Sequence, residues 1–323
     1  MKAMIRDTYG PPAQLRLADI DPPEIGAGDV LIRVHAAGVD QAVWHLVTGL
    51  PYLARLGGFG VRRPKNRVPG ADVAGRVEAV GRDVTTLRPG DEVFGTCDGA
   101  FAEYARAAAD AVVPKPADVT FEQAASVPTS ACAALQALRD KGRVQAGQRV
   151  LVIGAGGGVG SFAVQLAVAM GAEVTGVCSA GKADLVRSLG ATEVVDYTRT
   201  DVTTGERRFD VIVDIAGHRP LRRLRRVLNR HGRLVIVGSE GGGRWIQGMD
   251  RQLRAIALSP FVSQHLGTLI SAERSEDLRH LAELMAAGTV VPAVDRTFPL
   301  ADLPAAIQTL RNGQVRGKVV VVP

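Results

Sequence analysis

The sequence predicts an α/β protein in which a doubly wound parallel sheet is joined to a smaller, barrel-like β domain. Three observations predict it. Short β-type runs broken by Gly and Pro fill the chain as far as Thr120. Strand and helix patterns then alternate from Arg149 onward. Within that alternation, the glycine-rich turn Gly154-Ala155-Gly156-Gly157-Gly158-Val159-Gly160 joins an apolar strand to an apolar helix.

In chain order, residues 30–34, 73–80 and 92–94 read as strands, with Pro89-Gly90-Asp91 as a turn between the last two. Residues 121–138, rich in Ala and Leu, read as one helix. Residues 150–153 are a continuous apolar run, as expected of a strand buried on both faces. Residues 159–170 follow as an apolar helix. Further strands fall at 174–178, 193–196, 209–214 and 233–238, with a helix at 183–189. After a loop at 241–248 come a helix and an edge strand near 266–270. The tail reads as helix 275–288, strand 289–295, helix 304–311 and strand 318–322. It is expected to return and complete the first domain. The expected division is 1–122 with 271–323 as one domain and 123–270 as the other.

Bulk properties narrow the function. A chain of 323 residues suits two cores. It is 46% hydrophobic and 22% charged, an ordinary soluble composition. No stretch approaches the roughly 18 apolar residues of a membrane helix. The N-terminus has no signal-peptide core, so a cytoplasmic protein without a membrane partner is expected. Cys97, Cys132 and Cys178 lack the spacing of a disulfide framework or a zinc ribbon. The net charge of +6 raises nucleic acid as a partner. Much of the excess lies between Arg219 and Arg233, where Leu221, Leu224 and Leu228 recur at helical spacing. The arginines there read as a solvated helix face. With 4% aromatic residues there is no stacking platform for bases, and no nucleic-acid partner is expected.

The glycine turn fits a dinucleotide in either of two registers, Ala155-x-Gly157-x-x-Gly160 or Gly154-x-x-Gly157-x-x-Gly160. Glycines admit a tight turn and let backbone approach a pyrophosphate. The N–H groups opening the next helix then point at that anion. The second strand ends Val177-Cys178-Ser179-Ala180-Gly181-Lys182. It lacks the carboxylate that would hold a ribose 2′-hydroxyl. Ser179 and Lys182 suit a 2′-phosphate instead, so NADPH is the expected cofactor. Tyr197 is expected near the adenosine end. The run 176–183 has P-loop spacing, but Ala183 stands where that motif needs a metal-binding hydroxyl.

The chain resembles the medium-chain dehydrogenase/reductase superfamily, in its zinc-independent, quinone-oxidoreductase-like branch. The resemblance rests on Ala36-Ala37-Gly38-Val39-Asp40, Val68-Pro69-Gly70-Ala71-Asp72-Val73-Ala74-Gly75-Arg76-Val77 and Arg88-Pro89-Gly90-Asp91-Glu92-Val93. Phe101-Ala102-Glu103-Tyr104, Ala134-Leu135-Gln136-Ala137-Leu138, the glycine turn and Arg316-Gly317-Lys318-Val319-Val320 extend it over nearly the whole chain. It implies a chaperonin-10-like (GroES-like) β-barrel domain, completed by the C-terminal segment, and a Rossmann domain. The active site is expected in the cleft between them, where the cofactor carries the hydride chemistry.

Departures from zinc-dependent relatives bear on mechanism. Their Cys is replaced near Val39, and their His-Glu pair by Ala71-Asp72. No four-cysteine lobe is present, so no metal is expected. Without a Lewis acid the favoured acceptor is already electrophilic: a quinone, an enone or an enal. Asp40 stands where relatives commonly have Asn. With His45 and Tyr52 it forms the expected catalytic set, His45 as a proton donor near neutral pH. The resemblance adds Thr129, Gly238, Ser239 and Lys318 to the whole loop Gly154, Ala155, Gly156, Gly157, Gly158, Val159 and Gly160 as cofactor contacts. It also implies a homodimer joined through Rossmann edge strands. An enoyl-thioester reductase and a non-catalytic NADPH-binding protein are the alternatives.

Overall fold

Along the first long strand burial alternates from Val30 to Ala36 and then is continuous through Val39, so one face, then both, are covered. That strand anchors one of two units in the computed structural model. The structure describes residues 1–56, 60–238, 243–246 and 248–323. One unit comprises Met1–Cys132 with Glu273–Pro323, the other Ala133–Ala272.

The first unit opens with β1 (Lys2–Ile5), antiparallel to β2 (Arg16–Asp19). Next come β3 (Asp29–Val39), α1 (Gln41–Thr48), α2 (Tyr52–Ala54), β4 (Asp72–Val80), β5 (Glu92–Thr96), β6 (Tyr104–Ala108) and β7 (Val112–Pro114). The expected helix 121–138 is broken. It forms α3 (Phe121–Ala125) and α4 (Pro128–Gln136), then a π-helical turn at Ala137–Gly142. Pro128 explains the break, because it lacks an N–H and pushes the residue before it out of helical conformation. Thr120 and Gln123 cap α3 reciprocally. Because α3 packs on β3 and β4, it groups with the first unit.

The second unit holds β8 (Arg149–Ile153), α5 (Gly158–Ala169), β9 (Glu173–Cys178), α6 (Ala183–Ser188), β10 (Glu193–Asp196) and β11 (Phe209–Asp214). α7 (Leu221–Arg226), β12 (Leu228–Ile236), α8 (Met249–Leu258) and β13 (His265–Thr268) complete it. The sheet order is β10-β9-β8-β11-β12-β13, with every pairing parallel. This is the doubly wound order. It reverses between β8 and β11, and ligands bind at the carboxyl ends of strands at such a point.

Leu228 corrects the expected basic helix. It opens β12 instead of extending α7, because Phe209 N donates to Val227 O at 2.8 Å and draws the chain into the sheet. Leu224 is buried, and Arg219 and Arg223 flank Asp201 at 3.7 and 2.9 Å.

The tail supplies α9 (Ser275–Ala286), β14 (Val294–Pro299), α10 (Leu303–Arg311) and β15 (Lys318–Val322) to the first unit. β14 lies later than the expected 289–295, since Pro292 cannot donate to a ladder. β15 pairs with β3 through Val319↔Val39, Val320↔Gly38 and Val321↔Ala37. The resulting order is β14-β15-β3-β4-β5-β7, with β6 also on β3. Val30, Ile32, Val73, Val93, Phe101, Ile307 and Val319 form its core.

Candidate functional site

In the second unit, β8 delivers the chain to the glycine turn at the reversal of strand order. Gly154 has φ +93°, in the left-handed region that glycine occupies without strain. Gly154 N and Ala155 N both donate to Val177 O at 3.0 Å, which ties the turn to β9. Gly157 is extended and caps α5 without a side chain. The N–H groups of Gly158, Val159 and Gly160 then open a helix of twelve residues, where first-turn donors have no intrahelical acceptor. Together with the helix dipole they form a seat for an anion.

Two more glycines shape that seat. A Cβ on Gly160 would lie 2.0 Å from Gly154 O, so α5 closes on the end of β8 only because no side chain intervenes. A Cβ on Gly156 would lie 2.7 Å from Lys182 Cβ and 2.9 Å from its Cδ, so the lysine stem crosses the turn. Of the two registers, Gly154–Gly157–Gly160 carries the backbone demands; Ala155 is buried and tolerates its methyl group.

At the end of β9, Ser179 is extended and Lys182 N donates to Ser179 O at 2.9 Å. Tyr197 N donates to Cys178 O at 3.1 Å, which brings a 54% exposed ring beside the same strand end. Asp196, which the sequence reading passed over, is the register partner of Cys178. Its carboxylate accepts Thr198 N at 3.0 Å and Thr198 Oγ1 at 2.8 Å. The Thr198 backbone, then its hydroxyl, hold Asp196 below the usual carboxylate range, and the Ala180 N–H adds to this. Its acceptors are thus turned into local structure.

On the other side of the reversal, Gly238 follows β12. A Cβ there would run into Ile215 O, so Gly238 keeps the chain close to the end of β11. The buried Asp214 at that end pairs with Arg251 and accepts Gly217 N at 3.2 Å. Ser239 lies outside the described residues.

In the first unit, Asp40 caps α1, its Oδ1 accepting Val43 N at 3.1 Å. His45 Nδ1 lies 2.6 Å from Leu50 O. A carbonyl only accepts, so Nδ1 carries a proton and Nε2 donates only in the imidazolium form. Tyr52 opens α2 after the cis Leu50–Pro51 bond, with the Arg55 guanidinium 4.7 Å from its ring centre. Arg55 also donates through Nε to Gly49 O at 2.8 Å and lies over Tyr9 at 4.4 Å. His45 and Tyr52 therefore sit in one stapled segment.

Thr129 and Lys318 meet through Asp72 and Ser130, which the sequence reading did not include in the site. Thr129 Oγ1 donates to Asp72 Oδ1 at 2.6 Å. Lys318 Nζ donates to Ser130 Oγ at 2.9 Å and lies 3.9 Å from Asp72 Oδ2. Both charged side chains are 1% exposed. Burial first, then the negative charge of Asp40, push Asp72 up to about 7; Glu273 adds to the rise, while Lys318 and Thr129 oppose it. Glu273 is likewise raised, by burial and by Asp40. The sequence signal for Asp72 is a carboxylate opening the buried start of β4. Among the described residues, no group of three or more His, Cys, Asp or Glu could hold a metal ion. No helix among them is long and apolar enough to cross a membrane.

Comparison with known proteins agrees with this layout. Residues 26–117 match the alcohol dehydrogenase GroES-like domain, and residues 189–321 match the zinc-binding dehydrogenase domain. The chain is 30% identical to the chloroplastic quinone oxidoreductase of Triphysaria versicolor, over 100% of this chain and 98% of that protein. Among solved structures, the quinone oxidoreductase of Coxiella burnetii superposes with TM-score 0.88 at 28% identity, covering 100% and 99% of the two chains. A mycobacterial protein solved in complex with NADPH superposes at 0.83 with 28% identity, covering 100% of both.

Proposed function

The chain belongs to the quinone oxidoreductase-like group of the medium-chain dehydrogenase/reductase superfamily, and from that premise we propose that it is a zinc-independent, NADPH-dependent reductase of quinones or activated enones and enals. The observation that carries the cofactor choice is the Lys182 stem lying across Gly156, beside a strand end whose paired carboxylate, Asp196, is engaged by Thr198. The residues fit NADPH. Gly154–Gly160 would hold the pyrophosphate through the first-turn N–H groups of α5. Ser179 and Lys182 would take the 2′-phosphate and Tyr197 the adenosine end. Thr129, Gly238 and Ser239 would line the nicotinamide half. The bound cofactor supplies the hydride.

The donor set does not fit a zinc ion, despite the description of the matching family. Val39 and Ala71 occupy ligand positions of the zinc enzymes, and a catalytic zinc needs three protein ligands. This reading favours an acceptor that is electrophilic without metal activation. His45 as imidazolium would give a proton to the reduced product, and Tyr52 would hydrogen-bond its carbonyl. Asp40 fixes the start of the helix that carries His45. Lys318, buried and turned to Ser130, acts through its neighbours and not by direct contact.

The test is initial-rate NADPH oxidation against quinones, enones, enals and enoyl thioesters. Turnover of quinones or activated enones or enals is expected. Turnover confined to enoyl thioesters would replace this reading, and tight NADPH binding with no turnover would make the protein non-catalytic. A homodimer belongs to the same proposal. It is supported by the edge position of β13 and by exposed Leu253, Ile256, Phe261 and Ile270 nearby in the chain. Sedimentation should give twice the chain mass, and Ile270→Asp should shift it towards the monomer.

A further inference from the structure

Asp72 reaches from β4 to the first turn of α4. Its two oxygens share the Thr129 N–H at 3.2 and 3.3 Å, and Oδ1 also accepts the Thr129 hydroxyl. That N–H is one of the donors a helix start leaves without an intrahelical acceptor. A neutral capping side chain would satisfy it equally well. Here the cap is a carboxylate with a buried ammonium beside it, an arrangement whose desolvation cost is large. Gly38 leaves the space that Asp72 occupies, since a Cβ there would lie 2.9 Å from Asp72 Cβ and 3.2 Å from Oδ2.

The geometry gives the Thr129 hydroxyl two states. It has one hydrogen. While Asp72 is ionised that hydrogen is committed to Oδ1, and the hydroxyl can only accept from a ligand. When Asp72 carries a proton, the carboxyl can donate to Thr129 and free the hydroxyl hydrogen to turn to Glu273, whose carboxylate also hydrogen-bonds the Thr129 side chain. We propose that Asp72 is a positioning residue whose ionisation sets the Thr129 hydroxyl as an acceptor towards the amide of a bound nicotinamide carboxamide. This rests on the proposed contact of Thr129 with the nicotinamide.

The groups facing Asp72 are Asp40 at the start of α1, Glu273 ahead of α9, Lys318 on β15, Thr129 on α4 and Cys97 just after β5. Burial pushes the Cys97 thiol well up, and Asp98 and Asp72 add to this. Burial and the two carboxylates outweigh Lys318 and the Thr129 hydrogen bonds and push Asp72 up to about 7.

Infrared titration of the cofactor-free protein tests the ionisation. A protonated-carboxyl band should disappear as pH rises through about 7. That component should be absent in Asp72→Asn, where any protonated-carboxyl band left belongs to Glu273, whose carboxyl is also raised. In Thr129→Val the Asp72 band should persist and titrate at higher pH, because the hydrogen bond that favours the ionised form is gone. In NADPH kinetics, kcat/KM of the wild type should rise about tenfold from the acid to the alkaline side of that transition, the worth of one hydrogen bond. The rise should vanish in both variants. An infrared titration that is flat in the neutral range in a protein that binds NADPH overturns the proposal, as does a pH step that survives Thr129→Val. Absence of NADPH binding and turnover overturns the functional reading instead, whatever the infrared result.

Discussion

Gly160→Ala puts the cofactor seat under the sharpest steric test. The added methyl group would sit 2.0 Å from Gly154 O and 2.8 Å from Ala155 Cα, where real Cβ atoms stay beyond 3.0 Å. Both neighbours are backbone, so neither can swing aside. The start of α5 must retreat from β8 by about 1 Å, the difference between 3.0 and 2.0. Overpacking of this kind costs about 1–3 kcal/mol of stability. The same retreat would stretch hydrogen bonds from the first-turn N–H groups to a pyrophosphate from about 2.9 Å to well beyond 3.5 Å. Losing one such charge-assisted bond is worth about 1.5–3 kcal/mol, so the NADPH Kd should rise by roughly 10- to 100-fold. Fluorescence titration with NADPH measures this, and a thermal melt shows that the variant is folded. Gly28→Ala serves as control, since a methyl group there meets nothing within 4 Å. A Gly160→Ala protein that binds NADPH as tightly as the wild type would refute the placement of the pyrophosphate on this turn.

The remaining predictions concern charge. Lys182→Glu should weaken NADPH by at least tenfold and leave NADH nearly unchanged, because only NADPH carries the phosphate that the new carboxylate repels; parallel Kd measurements decide it, and equal losses would remove Lys182 from the 2′-phosphate site. Asp72 is raised from 3.8 in the unfolded chain to about 7 in the fold. Its contribution to stability is therefore fully present below pH 3.8 and is lost as pH rises through 7. A shift of that size sets a ceiling of about 4 kcal/mol, reached above neutrality. Asp72→Asn lacks this loss. Whatever constant cost it carries from leaving Lys318 without its carboxylate, its stability relative to wild type should improve between pH 5 and pH 8 in urea unfolding. A gap independent of pH would show that Asp72 keeps one charge state throughout.

The second unit was legible in the sequence because its inner strands β8, β9 and β11 are mostly buried on both faces and so appear as largely apolar runs. β8, β9, β10 and β11 fall within a residue of their expected positions. What misled was local pattern overridden by the sheet. Leu228 matches the helical spacing of Leu221 and Leu224, yet the ladder claims it for β12. Composition made residues 121–138 look like one helix, while Pro128 divides them. Site residues divided along the same line. The glycine turn, Ser179 and Lys182 are contiguous in the chain or read from one strand end, so their chemistry shows in sequence. Asp72, Thr129, Ser130 and Lys318 come together only when β15 pairs beside β3 and α4 packs near the start of β4. No spacing rule connects positions so far apart. Asp40 shows the intermediate case: its acid character was visible, but its hydrogen bond to Val43 N, which fixes it as a helix cap, was not.

The central claim is metal-free hydride transfer from NADPH to an activated acceptor. Its most direct measurement compares initial rates of NADPH and NADH oxidation by a quinone before and after exhaustive dialysis against a chelator. Full retention of an NADPH rate well above the NADH rate is predicted. Loss of activity restored by zinc, or a preference for NADH, would contradict the account.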